Sequence, residues 1–274
     1  MVNRVTITIK PEILKKLDKM IDKKTVRNRS HAVENLLTKA MNKIEVDTAL
    51  IMAGGDGVNL RPITYEMPKA LIPIKGRPVL EYHLNIFKKY DIRNIFISVN
   101  HMHNKIIEHF GDGSRFGMNI QYFIEENPLG TAGALASLKR HVKNTFVMVN
   151  VDTLISNLNI PEIYNFHKRE GKQATVLLST SENTRKFGVV RMQGSSVKDF
   201  MEKPTKSESK LVNAGFSIME PEALKLVPAR KFMIEELFKT LASRGQLSGC
   251  LHDGLVFDVG YHEGYERAIK EWKQ

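Results

Sequence analysis

The chain has 274 residues, 42% of them hydrophobic, and carries a formal net charge of +11. This length and composition can supply one large α/β domain with a packed core and one small additional module. The longest apolar runs fall far short of the roughly 18 residues that a membrane span needs, no signal-peptide segment opens the chain, and Cys250 has no second cysteine to pair with, so we expect a cytoplasmic protein.

Residues 1–45 are expected to form the small module. Strict alternation over Val5–Ile9 predicts a strand, and Pro11 suits the start of a helix whose apolar residues recur at helical spacing. Ser30 is predicted to cap a second helix. One short strand and two short helices cannot bury a core alone, so we expect this module to form a homo-oligomer.

Positive charge is concentrated in the same module. Residues 1–45 hold 11 Lys and Arg against 5 Asp and Glu, a net of +6 out of the +11 of the whole chain. Such concentration is typical of a segment that binds nucleic acid, and the partner that we expect is double-stranded DNA because of the resemblance described next. The alternative is a module that serves only for dimerisation, with its lysines on solvent-exposed helix surfaces.

The strand–helix–helix order, with Arg29-Ser30 opening the second helix, resembles the ribbon-helix-helix DNA-binding family. In that family paired strands enter the major groove. The resemblance implies that the outward strand residues Arg4, Thr6 and Thr8 read bases. It also implies that Ser30, at the start of the second helix, contacts a phosphate.

A glycine-rich loop follows the first apolar run of the larger part, residues 46–274. Gly54, Gly55 and Gly57 closely follow the apolar run Thr48–Met52, which is expected to be a buried strand, so backbone N–H groups are exposed to a ligand. This arrangement favours binding of a nucleotide triphosphate, to which Lys69 can add positive charge. The spacing fits neither a P-loop nor a dinucleotide fingerprint, and a purely structural turn is the alternative. The prolines at positions 62 and 68 are expected to keep the following segment extended.

The rest of the chain alternates strand and helix signals. This order predicts an α/β fold with a Rossmann-like, mostly parallel sheet, helices on both faces, and ligands outside the carboxyl ends of the strands. Strands are predicted at 50–55, 94–99, 120–125, 146–152, 174–179, 188–192, 197–201 and 211–219, and helices at 79–90, 104–110, 130–141, 234–243 and 265–272.

Ordered motifs along residues 46–274 resemble those of the sugar-1-phosphate nucleotidyltransferases, with the mannose-1-phosphate guanylyltransferases most similar. The segments that carry the resemblance are Gly54–Thr64, Pro68–Leu71, Pro128–Ala134, Asn150–Asp152, Glu202–Pro204, Asn213–Gly215 and Phe257–Gly260. The resemblance implies transfer of a nucleotidyl group from an NTP to a sugar 1-phosphate.

The resemblance also implies which residues form the site. Nucleotide contacts would come from Ala53, Gly54, Gly55, Gly57, Glu125, Gly130 and Thr131. Sugar-phosphate contacts would come from Gly188, Glu202, Lys203 and Asn213. A carboxylate at Glu125 could accept hydrogen bonds from guanine, which favours GTP, although UTP, dTTP and CTP stay open. Lys69, Arg61 and Lys203 would act on the phosphates.

Asp152 and Asp258 are the implied ligands of a Mg²⁺ cofactor, because carboxylate oxygens are the ligands that Mg²⁺ prefers. The alternative for Asp152 is a capping or turn residue, and Asp258, two residues before Gly260, could likewise be an ordinary turn residue.

Two positions depart from the family pattern. Asn59 stands where the family usually has an arginine that stabilises the leaving pyrophosphate, and an amide supplies no positive charge. Arg61 could compensate. Val151 replaces a small residue before the aspartate and is expected to narrow the space beside the sugar. The second hypothesis is therefore a transcriptional regulator whose enzyme-like domain senses a nucleotide or sugar nucleotide without turnover.

Overall fold

The computed structural model describes residues 5–22, 25–41, 44–124, 130, 133–228 and 230–273. The chain divides into two compact units, Met1–Ile44 and Glu45–Gln274. Among the described residues, no helix combines the length and the apolarity that crossing a bilayer requires.

The first unit is a pair of helices, α1 (Pro11–Asp18) and α2 (Arg29–Met41). Leu17 and Ala32 are buried in it. Arg29 donates to the Asp18 carboxylate at 2.7 Å, which ties the start of α2 to the end of α1.

Residues 5–10 pair with no strand in the described part of this single chain. The predicted strand would pair with a second copy of the chain, so it stays a prediction. One prediction for this unit is wrong. Ser30 is not the cap of α2. The Asn28 side chain takes that role, because its Oδ1 accepts the backbone N–H of His31 at 2.9 Å.

The second unit contains thirteen strands and seven helices among its described residues. The strands are β1 (Thr48–Ala53), β2 (Pro73–Ile74), β3 (Arg77–Pro78), β4 (Asn94–Val99), β5 (Asn119–Ile124), β6 (Phe146–Asn150), β7 (Thr153–Ile155), β8 (Ala174–Thr180), β9 (Gly188–Gln193), β10 (Ser196–Glu202), β11 (Leu211–Met219), β12 (Leu247–Leu251) and β13 (Val256–Asp258). The α-helices are α3 (Ile63–Glu66), α4 (Val79–Lys89), α5 (His103–Phe110), α6 (Gly133–Leu138), α7 (Ile160–Glu170), α8 (Ile234–Ser243) and α9 (His262–Glu271).

Nine strands form one sheet in the order β5-β4-β1-β6-β11-β8-β12-β10-β9. The first four run parallel to one another. β11 is antiparallel to both β6 and β8, and β10 is antiparallel to β12 and β9. The prediction of a mostly parallel sheet is therefore wrong for the second half, which is mixed.

Helices cover both faces of this sheet, as predicted. Thr175 of β8 faces α7, where its hydroxyl lies 2.8 Å from His167 Nδ1. The next residue, Val176, belongs to the core cluster that contains Leu237 and Phe238 of α8. Successive residues of a strand point to opposite faces, so α7 and α8 lie on opposite sides.

Short helical turns occupy the segment after the glycine loop. Val58–Leu60 and Lys69–Leu71 are 3₁₀ turns, and α3 lies between them with Pro62 as its N-cap residue. The prediction that the prolines keep this segment extended is wrong, because proline is tolerated at a helix start, where its missing N–H has no intrahelical partner to lose.

Candidate active site

The glycine loop follows the end of β1, and Thr64 holds it in place through a hydrogen bond. The Thr64 hydroxyl donates to the Gly57 carbonyl at 2.6 Å. Gly57 has a φ of +67°, and a Cβ at this position would lie only 2.6 Å from Thr64 Cγ2. Only glycine can therefore bring the loop this close to the buried threonine.

Lys69 connects the glycine loop to the first aspartate. Its Nζ lies 2.5 Å from Asp152 Oδ2, and a Cβ built on Gly55 would lie 3.2 Å from the same Nζ. Burial acts to lower the pKa of Lys69, but the ion pair with Asp152 and the charge of Asp258 outweigh it and raise that pKa. The lysine is thus held as a cation beside the loop.

A small ribbon brings the two aspartates together. Asp152 lies in the turn before β7, and β7 pairs with β13 so that Thr153 is opposite Asp258. The backbone N–H of Val259 donates to the Asp152 carbonyl at 2.8 Å. A Cβ on Gly260 would lie 2.7 Å from Asp152 Oδ2 and 2.9 Å from Asp258 Oδ1. Both carboxylates therefore border the same small space.

The electrostatics of this pair suit a cation. Burial, followed by the negative charge of Asp152, raises the pKa of Asp258 to about 6, against the effects of Lys69 and Lys203. Two half-buried carboxylates that repel each other gain from a divalent ion between them, and their oxygens are ligands that Mg²⁺ accepts. No group of three or more metal-ligating side chains occurs among the described residues, so further ligands would have to come from bound phosphates or water.

The aspartates and the implied sugar-phosphate residues line one cavity of about 220 Å³. Its lining includes Lys69, Asp152, Asp258, Gly188, Glu202, Lys203 and Asn213. These residues come from six separate segments of the chain, and the structure brings them together at one end of the sheet.

Strands β9 and β10 form one wall of the cavity. Gly188 pairs with Glu202, and a Cβ on Gly188 would lie 2.5 Å from the Phe200 ring. Burial raises the pKa of Glu202 against the effect of Lys203, whose Nζ lies 3.5 Å from Glu202 Oε1. Lys203 itself has a φ of +42°, a conformation that its backbone N–H stabilises by donating to the Phe187 carbonyl at 3.0 Å.

A break in β11 forms the base of the cavity. The register between β11 and β8 shifts between Asn213 and Ser217. Gly215 has a φ of +71°, its N–H donates to Asn213 Oδ1 at 3.1 Å, and a Cβ would lie 2.4 Å from Thr153 Oγ1. The glycine therefore lets β11 approach the ribbon that carries the aspartates.

Arg61 is not among the residues that line the cavity, and its proposed compensation for Asn59 stays a prediction. Its guanidinium lies 5.1 Å from the centroid of the Tyr65 ring, and its carbonyl lies 2.9 Å from His262 Nε2. Asn59 does line the cavity. Val151 is buried outside the lining, so the prediction that it narrows the sugar space is wrong.

The second nucleotide segment is described only in part. Gly130 has a φ of +82°, and a Cβ there would lie 2.6 Å from the Phe232 carbonyl oxygen. Glu125 and Thr131 lie outside the described residues.

Several lining residues were not singled out as site residues from the sequence, and four of them have polar or charged side chains that a ligand could contact. They are Asn150, Lys186, Glu235 and Tyr261. Lys186 donates to Glu263 Oε2 at 2.8 Å and lies over the Tyr261 ring. Lys186 lies two residues before Gly188, and Tyr261 directly follows Gly260. Their closeness in sequence to these motif residues was the signal that could have identified them as lining residues. Glu235, by contrast, lies in no motif.

In the N-terminal unit, Thr6 and Thr8 are exposed, and Ser30 is exposed in the first turn of α2, while Arg4 lies outside the described residues.

Comparison with known proteins identifies the family. The family described as "Nucleotidyl transferase" matches residues 48–274. The chain belongs to the nucleotidyl transferase family. The match begins where the second unit begins its first strand, so the N-terminal unit lies outside it.

Two relatives indicate what other family members do. The mannose-1-phosphate guanylyltransferase catalytic subunit beta of Xenopus tropicalis is 32% identical over 219 residues, covering 77% of this chain and 61% of that relative. A UTP–glucose-1-phosphate uridylyltransferase of Synechocystis is 33% identical over 198 residues, covering 66% of this chain and 51% of that relative. The chain thus spans between about half and two thirds of the length of these nucleotidyl transferases.

A solved structure supports the fold. HddC from Yersinia pseudotuberculosis superposes with a TM-score of 0.71 at 21% identity, covering 83% of this chain and all of that one. The mixed α/β fold of this chain is therefore shared with that protein.

Proposed function

We propose that this protein transfers a nucleotidyl group from an NTP to a sugar 1-phosphate, giving an NDP-sugar and pyrophosphate, with Mg²⁺ as cofactor. The observation that carries the proposal is the convergence of Asp152, Asp258 and Lys69 on the cavity that Glu202 and Lys203 also line. The named activities of the two relatives support the same reaction class.

The reaction joins two anions. A sugar-phosphate oxygen attacks the α-phosphorus of the nucleotide, the bond to the β-phosphate oxygen breaks, and pyrophosphate leaves with the electron pair. The enzyme must therefore neutralise charge and hold the attacking and leaving oxygens in line.

The glycine loop and the cavity would each supply one part of this task. The N–H groups of Gly54, Gly55 and Gly57 would hold the triphosphate, and Lys69 would exchange its partner Asp152 for a phosphate oxygen. Lys203 would bind the phosphate of the sugar. Asp152 and Asp258 would hold Mg²⁺, which when bound would neutralise charge on the α-phosphate and the incoming phosphate.

GTP is the nucleotide that we propose, on two grounds. The Xenopus relative is named as a guanylyltransferase. A carboxylate at Glu125 would accept hydrogen bonds from the N1–H and the amino group of guanine.

Pyrophosphate release tests the reaction. GTP, UTP, dTTP and CTP should be assayed with a panel of hexose 1-phosphates, with and without Mg²⁺. We expect release with GTP, and a loss of roughly 100-fold or more in Asp152→Ala, because the variant loses charge stabilisation in the transition state. Tight nucleotide binding without turnover of any pair would instead favour the sensor hypothesis, which Asn59 and the position of Arg61 keep open.

For the N-terminal unit we propose dimerisation and binding to double-stranded DNA. The support is the net charge of +6 over residues 1–45 and the exposure of Val5 and Ile7, at 77% and 54%, which a second copy could cover by strand pairing. Deleting residues 1–44 should abolish sequence-specific duplex binding. Wild-type affinity should fall steeply with salt, whereas salt-independent association would contradict phosphate contacts.

A further inference from the structure

Among the described residues that line the candidate active site, three carry a positive charge, namely Lys69, Lys186 and Lys203. Lys69 and Lys203 lie beside carboxylates that line the same cavity. Lys186 differs from both, because its partner is Glu263, which lies outside the lining. The proposed reaction gives a task to the other two lysines and leaves this one without a task.

The partner of Lys186 is easily displaced. Lys186 Nζ donates to Glu263 Oε2 at 2.8 Å, and the Glu263 side chain is 82% exposed, whereas that of Lys186 is 33% exposed. The hydrogen bond from Lys186 is the main reason why the pKa of Glu263 is lowered. An ion pair with so exposed a carboxylate adds little free energy, so a phosphate oxygen in the cavity can replace it at small cost.

Tyr261 connects Lys186 to the side of the cavity that borders the glycine loop. Lys186 Nζ lies 5.3 Å from the centroid of the Tyr261 ring. Burial acts to lower the pKa of Lys69, whereas Asp152, Asp258 and Tyr261 all act to raise it. The phenol group therefore lies within electrostatic reach of both lysines, and Lys186 is held toward the loop.

The start of α9 contacts the segment that follows the glycine loop. Tyr261 directly precedes α9, and His262 Nε2 lies 2.9 Å from the Arg61 carbonyl oxygen. Asn59, in the 3₁₀ turn after the loop, lines the cavity, but its amide carries no charge. A further cation for phosphates at this end of the cavity would therefore come from another element, and Lys186 is placed to supply it.

We propose that Lys186 is a further catalytic residue, which exchanges Glu263 for an oxygen of the β- or γ-phosphate of the NTP and stabilises the charge that develops on the leaving pyrophosphate. This inference rests on the proposed function and deepens it. Lys186 only donates hydrogen bonds and stays protonated, so the bonds that form and break are those at the α-phosphorus. Glu263 competes with the nucleotide for the lysine and is therefore inhibitory.

Inhibition by pyrophosphate tests the role of Lys186. In Lys186→Gln, the inhibition constant of pyrophosphate should rise roughly 10- to 100-fold, because a charge-assisted hydrogen bond to the leaving group is lost. The value of kcat/KM for the NTP should fall by a similar factor, while KM for the sugar 1-phosphate stays within about twofold of wild type. Unchanged inhibition by pyrophosphate, or an effect on KM for the sugar 1-phosphate alone, would overturn the inference.

Glu263→Gln should have the opposite effect. Without the competing carboxylate, pyrophosphate should inhibit more strongly and kcat/KM for the NTP should rise, each roughly two- to fivefold, which is the range expected for an exposed ion pair. If the pair served only to order the protein, Glu263→Gln and Lys186→Gln would lose activity alike. That result would also overturn the inference.

Lys210 and Glu182 provide the matched control. They form an ion pair of 2.7 Å between exposed side chains, and neither residue lines the cavity. Lys210→Gln and Glu182→Gln remove the same charges from such a pair and should leave inhibition by pyrophosphate unchanged. A shift in these variants as large as that in Lys186→Gln would show a general effect of surface charge and overturn the inference.

The outcomes separate this inference from the proposed function. If wild type turns over and Lys186→Gln matches it, only the inference fails. If wild type releases no pyrophosphate, the proposed function fails, and calorimetric titration of magnesium pyrophosphate into wild type, Lys186→Gln and Lys210→Gln decides the inference. Weaker binding to Lys186→Gln alone would support a lysine that holds pyrophosphate. Equal binding to all three proteins, or no binding to wild type, would overturn it.

Discussion

Burial shifts the pKa values of His83 and Asp258 in opposite directions. His83 is fully buried in α4, and its Nε2 lies 3.0 Å from the Val151 carbonyl, one residue before the first aspartate. Burial lowers the pKa of His83 to about 4, while burial and a like charge raise the pKa of Asp258 to about 6. The neutral imidazole of His83 contacts the backbone just before Asp152, whereas the environment of Asp258 disfavours the charged form of its carboxyl group.

His83 should make folding depend on pH. Its pKa is lower in the folded protein than the usual 6.5, so its contribution is present above pH 6.5 and is lost as pH falls toward 4. From that shift, the free energy of unfolding should fall by about 3 kcal/mol across this range. In urea unfolding at pH 7.5 and 4.5, His83→Gln should show a smaller fall than wild type. Equal falls would contradict the prediction.

Asp258 should lower the stability of the ligand-free protein. A carboxyl whose folded pKa is raised contributes stability below its unfolded pKa of 3.8 and loses it as pH rises through about 6. At pH 8 without Mg²⁺, Asp258→Asn should therefore unfold at a higher urea concentration than wild type, while its pyrophosphate release falls at least roughly 100-fold. A variant that is both less stable and fully active would contradict both halves of the prediction.

The ribbon of β7 and β13 is the element that makes the site. The two aspartates are 106 positions apart by their numbering, and the antiparallel pairing of Thr153 with Asp258 places them side by side. Gly260 then leaves room for both carboxylates. Neither short strand has an independent core, so the ribbon depends on the packing of Leu154 and Phe257 into the cluster around Trp272.

Gly260→Ala tests this arrangement. The added Cβ would lie under 3 Å from both carboxylates, so turnover should fall at least roughly tenfold through a misplacement of the reacting groups. Gly194→Ala is the control, because a Cβ there meets nothing within 4 Å although its φ is +57°. The control should lose about 1 kcal/mol of stability and no activity. Equal activity in the two variants would count against the arrangement.

Elements with a clear pattern were predicted well from the sequence. The strand at 211–219 and the helix at 234–243 have the predicted bounds, because β11 is a nearly continuous buried run and the buried residues of α8 recur at helical spacing. Helix α7 and strand β12 were not predicted. α7 begins at Ile160, and Pro161 is its second residue. A proline usually indicates the end of a helix, so the sequence predicts α7 only if Pro161 is recognised as part of the helix start. β12 carries Ser248 and Gly249 at buried positions, which removes the apolar pattern of a central strand.

The candidate site was predicted from motifs rather than from periodicity. Ordered motifs indicated Asp152, Asp258, Glu202 and Lys203, and the structure places all four around one cavity. The position of Arg61 could not be predicted, because its stacking on Tyr65 depends on α3 forming in a segment with two prolines. Glu235 could not be predicted either, since a glutamate in the first turn of a helix is ordinary on a surface.

At the scale of the whole molecule, the two units are separable in composition and in core. The second unit contains the sheet, the main core and every described residue of the cavity. A protein lacking residues 1–44 should therefore fold and keep kcat/KM for nucleotidyl transfer within about twofold, while its mass in light scattering falls to a lower oligomeric state. Loss of turnover in a folded truncated protein would show that the units depend on each other.

The central position of antiparallel β11 has an evolutionary consequence. It separates the parallel strands that lead to the glycine loop from the mixed strands that carry Gly188 and Glu202. Under the proposed function, changes on the far side of β11 can alter the preferred sugar while the nucleotide side keeps its packing. During the evolution of such an enzyme, the preferred sugar and the preferred nucleotide could then change separately, because β11 lies between the two groups of strands.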